Sequence, residues 1–131
     1  MNNWTVDQKK AVFAKQGNFL VSAGAGSGKT KVLTDRVIEL LSSGQCSLDE
    51  LLVLTFTDKA ASDMKNKVRA KLVTNPLTAP LVSQIDSAYI MTFDAFFRSL
   101  VAKYHYELGI NGSLDVADES LLEVELDNIV A

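Results

Sequence analysis

Residues 20–33 read LVSAGAGSGKTKVL. An apolar run breaks into alternating small residues, reaches Lys29 and Thr30, and resumes as an apolar helical pattern. Glycine belongs where a side chain would stop the backbone approaching a phosphate, and G-x-x-x-x-G-K followed by Ser or Thr has that arrangement. Ala23 stands at the first glycine position, giving A-G-A-G-S-G-K-T. Ala25, Gly26, Ser27, Gly28, Lys29 and Thr30 are the expected cradle. Backbone N–H groups there would face a phosphate, helped by about half a positive charge at the helix N-terminus. Lys29 offers a point charge to the β- and γ-phosphates, and Thr30 a hydroxyl to Mg²⁺. The pattern predicts a pocket for a nucleoside triphosphate. An ordinary glycine-rich turn would not need the strand-like run before it and the amphipathic helix after it.

Outward from this loop, strand-like and helix-like runs alternate. Residues 4–15 have helical spacing opened by Thr5 as N-cap, with Val6, Ala11, Val12 and Phe13 as the apolar face. Residues 19–23 predict a short buried strand, and residues 29–42 a helix stopped by Gly44. The LLVLTF run at 51–56 lacks alternation, as in a strand of a sheet covered on both faces. A helix is expected over 58–73, a loop over 75–80, a third strand over 89–93, and a helix over 94–108 stopped by Gly109. The tail from Ser113 predicts another, acidic helix. Such alternation implies an α/β fold: a parallel sheet with right-handed crossovers and flanking helices.

The chain has 131 residues, the size of one domain with a real core, and its 47% hydrophobic and 22% charged content is that of a soluble globular protein. Its longest uncharged stretch, 72–85, contains two prolines and cannot span a bilayer. The N-terminus lacks the basic start and apolar run of a signal peptide, so a cytoplasmic location and no membrane partner are expected. Cys46 is alone, which excludes an internal disulfide, and the single His105 excludes a two-histidine metal site. The net charge of −3 hides an asymmetry, because residues 113–131 carry six acids and no base. Lys59, Lys65, Lys67, Arg69 and Lys71 form the densest basic patch, which fits either a polyanion or a solvated helix face.

Hydrolysis needs an acid at the end of another strand to hold Mg²⁺ and orient water. Asp94 follows YIMTF, but Thr92 interrupts the apolar run expected before such an acid. Two strands end in Thr-Phe, as Thr55-Phe56-Thr57 and Thr92-Phe93 followed by Asp94-Ala95-Phe96. Ligands of open parallel sheets bind at the carboxyl ends of strands. Hydroxyls there can meet phosphate oxygens and aromatic rings can stack on bases, which is how single-stranded nucleic acid is held without reading sequence.

Four blocks in order resemble the N-terminal part of superfamily 1 DNA helicases of the UvrD/Rep/PcrA type, and more closely AddA/RecB-like helicase-nuclease subunits. W-T-V-D-Q resembles the Q motif, whose glutamine, here Gln8, reads the adenine edge. S-A-G-A-G-S-G-K-T is this group's phosphate loop, L-L-V-L-T-F-T-D-K-A-A-S-D-M resembles motif Ia, and I-M-T-F-D-A-F-F resembles motif Ib. The last two imply single-stranded DNA contacts at Thr55, Phe56, Thr57, Thr92, Phe93 and Phe96. Asp58 stands where asparagine is usual, Asp63 where glutamate is, and Asp94-Ala95 where many members have His-Ser.

The resemblance implies a P-loop NTPase (RecA-like) sheet, helicase domain 1A, over residues 1–112, with 113–131 opening an inserted 1B subdomain. It implies an ATP-dependent DNA helicase using ATP and Mg²⁺ in recombination or repair, with a helicase-nuclease partner subunit. The family's metal-binding acid, γ-phosphate sensor, arginine finger and second motor domain are expected beyond Ala131. Its sheet order puts two strands from that later sequence between 19–23 and 51–56, so the sheet formed here should be incomplete, and these residues alone should bind ATP without turning it over. The alternatives are a non-catalytic nucleotide- and DNA-binding module, or a small P-loop NTPase or kinase with Asp94 as metal acid.

Overall fold

A computed structural model describes residues 4–15, 17–24 and 26–110. Ala25 and the tail from Ser113 lie outside the described residues. Two compact units are formed, Met1–Phe96 and Phe97–Ala131.

In the first unit, helix α1 (Val6–Phe13) opens with a reciprocal cap. The Thr5 hydroxyl accepts from the Gln8 N–H, and the Gln8 side-chain oxygen accepts from the Thr5 N–H. Both orphan donors are satisfied by residues three apart, so the helix starts where Thr5 dictates. Helix α2 (Lys29–Ser42) follows the phosphate loop and ends before Gly44, whose positive φ of 68° suits glycine. Strand β1 (Leu52–Thr55) leads through Phe56 into helix α3 (Asp58–Thr74), capped by the Thr57 hydroxyl on the Ala60 N–H. A 3-10 segment, Ala79–Ser87, returns the chain to strand β2 (Tyr89–Thr92). Residues 75–80 are thus partly a turn and partly the start of that segment, with Thr78 wholly buried.

The two strands pair in parallel, with Val53 opposite Ile90 and Thr55 opposite Thr92. Val53 and Ile90 face the core with Val68 and Leu72 of α3, Val37 and Leu41 of α2, and Ile85. Val68, Leu72 and Ile85 have no exposed surface, and burying each contributes about 1.5–3 kcal/mol.

Two expectations fail. Residues 19–23 form no strand: Leu20 is 97% exposed, and Phe19 and Val21 more than half. A strand exists only by pairing, and among the described residues no strand lies alongside this segment. The sheet is also covered on one face only, since Leu52 and Tyr89, side by side on the other, are each more than two-fifths exposed.

Helix α4 (Phe93–Tyr104) follows β2 directly, the Thr92 hydroxyl accepting from the Ala95 N–H. In the second unit a 3-10 turn, His105–Leu108, ends at Gly109 with φ 67°. His105 Nδ1 lies 2.9 Å from the Ile110 carbonyl, which ties the ring to the backbone of this turn.

Candidate nucleotide pocket and strand-end surface

The phosphate loop turns on Gly26 and Gly28, at φ 75° and 85°. These are left-handed conformations that side chains resist. Gly28 is the N-cap of α2, and a Cβ there would sit 3.5 Å from the Gln8 amide nitrogen. Ser27 folds its hydroxyl onto the Gly24 carbonyl at 2.6 Å. Lys29 donates to the carbonyls of Ala23 and Gly24, which keeps its ammonium over the loop. Thr30 follows it, exposed, in the first turn of α2. Ala25, counted in the cradle on sequence grounds, lies outside the described residues.

Gln8 joins α1 to this loop. Its oxygen accepts from the Thr5 N–H, and its amide nitrogen donates to the Ser27 carbonyl at 3.2 Å. A carboxamide has two acceptor and two donor positions, so one of each is left. Between α1 and the loop lies a hollow of about 300 Å³ lined by Gln8, Ala11, Val21, Ser27, Lys29 and Val32 among others. That is the lower end of small-molecule pocket volumes.

Helices α2 and α3 run in the same sense. Thr34, in the second turn of α2, meets Met64, in the second turn of α3, while Leu41 and Leu72 join one core near the far ends. The loop at the start of α2 therefore lies toward the end of the sheet where β1 and β2 finish. There Phe56 is 90% exposed and Phe93 38%, their ring centroids 5.4 Å apart and tilted by 36°. Phe96 is half-buried in the first turn of α4. The threonines have local duties as well. Thr57 and Thr92 cap helices, Thr55 donates to the Thr57 carbonyl at 3.1 Å, and Thr92 is buried.

The basic patch on α3, which fits either a polyanion or a solvated face on sequence grounds, is partly occupied by acidic and carbonyl partners. Lys59 and Lys71 are 12 positions apart, about 18 Å along the helix, so the patch runs away from the strand ends. Lys65 donates to the Asp86 carbonyl, Arg69 pairs with the Asp86 carboxylate, and Lys71 pairs with buried Asp35. Burial, and secondarily the nearby Lys31, push the Lys71 ammonium below the ordinary lysine range. Lys59 and Lys67 remain exposed. Asp94 is exposed in the first turn of α4, and among the described residues no three acids, histidines or cysteines cluster as metal ligands.

Two anchors escaped the sequence reading. Asp35 also accepts the indole N–H of Trp4 at 2.7 Å. Arg36 donates to the carbonyls of Ala11 at 2.9 Å and Ala14 at 2.8 Å, and stacks over Phe19 at 5.5 Å. A cation at the last carbonyls of a helix satisfies orphan acceptors and opposes the dipole. The one available signal was a carboxylate at position 35, three residues beyond Val32 on the apolar stripe of α2.

The profile of the UvrD/REP helicase N-terminal domain matches residues 4–131. The chain is 39% identical, over 98% of its length, to an ATP-dependent helicase/nuclease subunit of Lysinibacillus sphaericus. It is 38% identical over 96% of its length to the same subunit of Oceanobacillus iheyensis, and 38% over 90% to that of Desulforudis audaxviator. It spans 11%, 11% and 10% of those proteins respectively. The match covers the Gln8 cap, the phosphate loop and both Thr-Phe strand ends together: the chain belongs to the UvrD/REP helicase N-terminal domain family.

Proposed function

We propose that these residues are the ATP-binding part of a RecA-like first motor domain, 1A, in an ATP-dependent DNA helicase or translocase. It would act on single-stranded DNA in recombination or repair in the cytoplasm, with a helicase-nuclease partner subunit. The observation that carries this reading is the Gln8 amide, which touches the phosphate loop through Ser27 and keeps one donor and one acceptor. A glutamine with one of each matches the N6 and N7 edge of adenine, so α1 would supply the base-reading wall and the loop the phosphate cradle. Lys29 would hold the terminal phosphates and Thr30 the Mg²⁺. A single protein hydroxyl fits an ion that is held mostly by substrate phosphates and water.

At the strand ends, Phe56 and Phe93 would stack on bases. Thr55, Thr57, Thr92 and Phe96 would shape that surface, with Lys59 nearest among the bases of α3. Residues 113–131 would open subdomain 1B. The metal acid and arginine finger would come from sequence beyond these residues, which by themselves would bind ATP without turnover.

The test is phosphate release from Mg-ATP, with and without single-stranded DNA, by the intact polypeptide carrying this sequence and by residues 1–131 alone. DNA-stimulated hydrolysis by the former and none by the latter is expected. Turnover above about 1 s⁻¹ by the short chain, within the ordinary enzyme range and lost on Asp94→Asn, would replace this reading with a small NTPase.

A further inference from the structure

Trp4, Asp35 and Lys71 form a polar junction that neither the phosphate cradle nor the strand-end surface uses. Asp35 is only 5% exposed, yet its two oxygens are both engaged, one by the Trp4 indole and one by Lys71. A buried carboxylate stays ionised only when paired and hydrogen-bonded, and losing one partner strands the other charge. The junction joins three separate elements: the residue before the α1 cap, the second turn of α2 and the last turns of α3.

Trp4 immediately precedes Thr5, and its ring meets Phe13, at the other end of α1, edge-on at 5.5 Å. Fixing the indole therefore fixes α1 along its length. The helix is fastened to the loop and α2 at three places: Gln8 on Ser27, Arg36 on the Ala11 and Ala14 carbonyls, and Trp4 on Asp35. The first two stay within α1, the loop and α2. The third needs α3 as well, because Lys71 balances the charge that receives the indole.

We propose that Asp35, balanced by Lys71, is a positioning residue that anchors Trp4 and thereby sets the Gln8 wall of α1 against the phosphate loop. This rests on the reading of Gln8 as the base-contacting residue. Asp35 stands six positions after Lys29, about 9 Å further along α2, so its loss should alter recognition of the base and spare recognition of the phosphate chain.

The test is calorimetric titration of the intact polypeptide with ATP and, separately, with inorganic tripolyphosphate. ATP reports wall and loop together, and tripolyphosphate the loop alone. Asp35→Ala removes the anchor. Trp4→Phe is the milder variant, keeping a ring against Phe13 while deleting only the indole N–H, and it carries the test if Asp35→Ala does not fold. Each should weaken ATP binding by up to about tenfold, the worth of roughly one hydrogen bond from a displaced Gln8 to the base, and leave tripolyphosphate binding unchanged. Unchanged ATP affinity in the folded variants overturns the proposal. So does a parallel loss of both ligands, which would make the junction a fold-holding contact only. If the unsubstituted protein binds ATP no more tightly than tripolyphosphate, the base-reading role of Gln8 falls, and this inference with it.

Discussion

The residues around the phosphate loop divide by the distance along the chain to their partners. Thr5 and Gln8 cap each other over three positions, and Gly26, Gly28 and Lys29 act within one turn of backbone. Thr5, the glycines and Lys29 were legible because their chemistry is local, whereas Gln8 was singled out by the family resemblance and reaches Ser27 across 19 positions. Trp4, Asp35, Arg36 and Lys71 reach partners 22 to 36 positions away, and spacing gives no hint of such pairings. Lys29 already sits over the loop through two carbonyls. Lys29→Ala should therefore cost about 1.5–3 kcal/mol of triphosphate affinity, the worth of a charge-assisted contact. Unchanged affinity by calorimetry would reduce the loop to a structural turn. Another local cap makes a pH prediction. The Ser47 N–H and hydroxyl both donate to the Glu50 carboxylate at 2.8 Å, holding it below the ordinary glutamate range. A depressed acid stabilises the fold above its unfolded pKa, and that contribution disappears as pH falls through the folded value. In Ser47→Gly, an NMR titration should find Glu50 returned toward its ordinary value. The Ser47 N–H, the larger cause of the shift, stays in this variant, so the return should be partial, and an unmoved titration would mean that the hydroxyl does not bond the carboxylate.

At the scale of elements, α2, α3 and β2 lie within a residue or so of where periodicity and Gly44 put them, and the structure adds Thr57 and Thr92 as the caps that open α3 and α4. The 19–23 strand was misread because apolarity marks a segment able to pair, whereas a strand also needs a neighbour. The α3 bases could not be divided on sequence grounds for a related reason: sequence shows charge but not the Asp35 and Asp86 that occupy part of it. This narrows the expected DNA behaviour of the intact polypeptide. Phe56→Ala should weaken single-strand binding by roughly 1–3 kcal/mol, the worth of one stacked base, at every salt concentration. Lys59→Ala should instead flatten the dependence of log affinity on log salt by about 0.7 if it touches one phosphate. Lys71→Ala should leave that slope unchanged, since its charge is turned inward to Asp35. A slope change for Lys71→Ala equal to that for Lys59→Ala would mean that the whole α3 patch meets the DNA.

Among the described residues the molecule has a sheet of two strands carrying one covered face, and the apolar run at 19–23 is left largely exposed outside it. Two parallel strands are few for a stable sheet, and an extended segment with unpaired N–H groups is unprotected unless a neighbour arrives. The proposed RecA-like sheet supplies such neighbours on both sides of the gap between 19–23 and β1. It also accounts for why Phe19 and Val21 are hydrophobic while more than half exposed. Hydrogen exchange reads this directly, because amide protection reports local opening rather than global shape. In a polypeptide of residues 1–131, the amides of Leu20, Val21 and Ser22 should exchange as fast as an unstructured chain, while those of Val53 and Ile90 should be slowed by their pairing. In the intact polypeptide the 19–23 amides should become protected to the same degree as β1. Fast exchange at 20–22 in the intact polypeptide would show that this segment never joins a sheet, leaving the phosphate loop on a free strap.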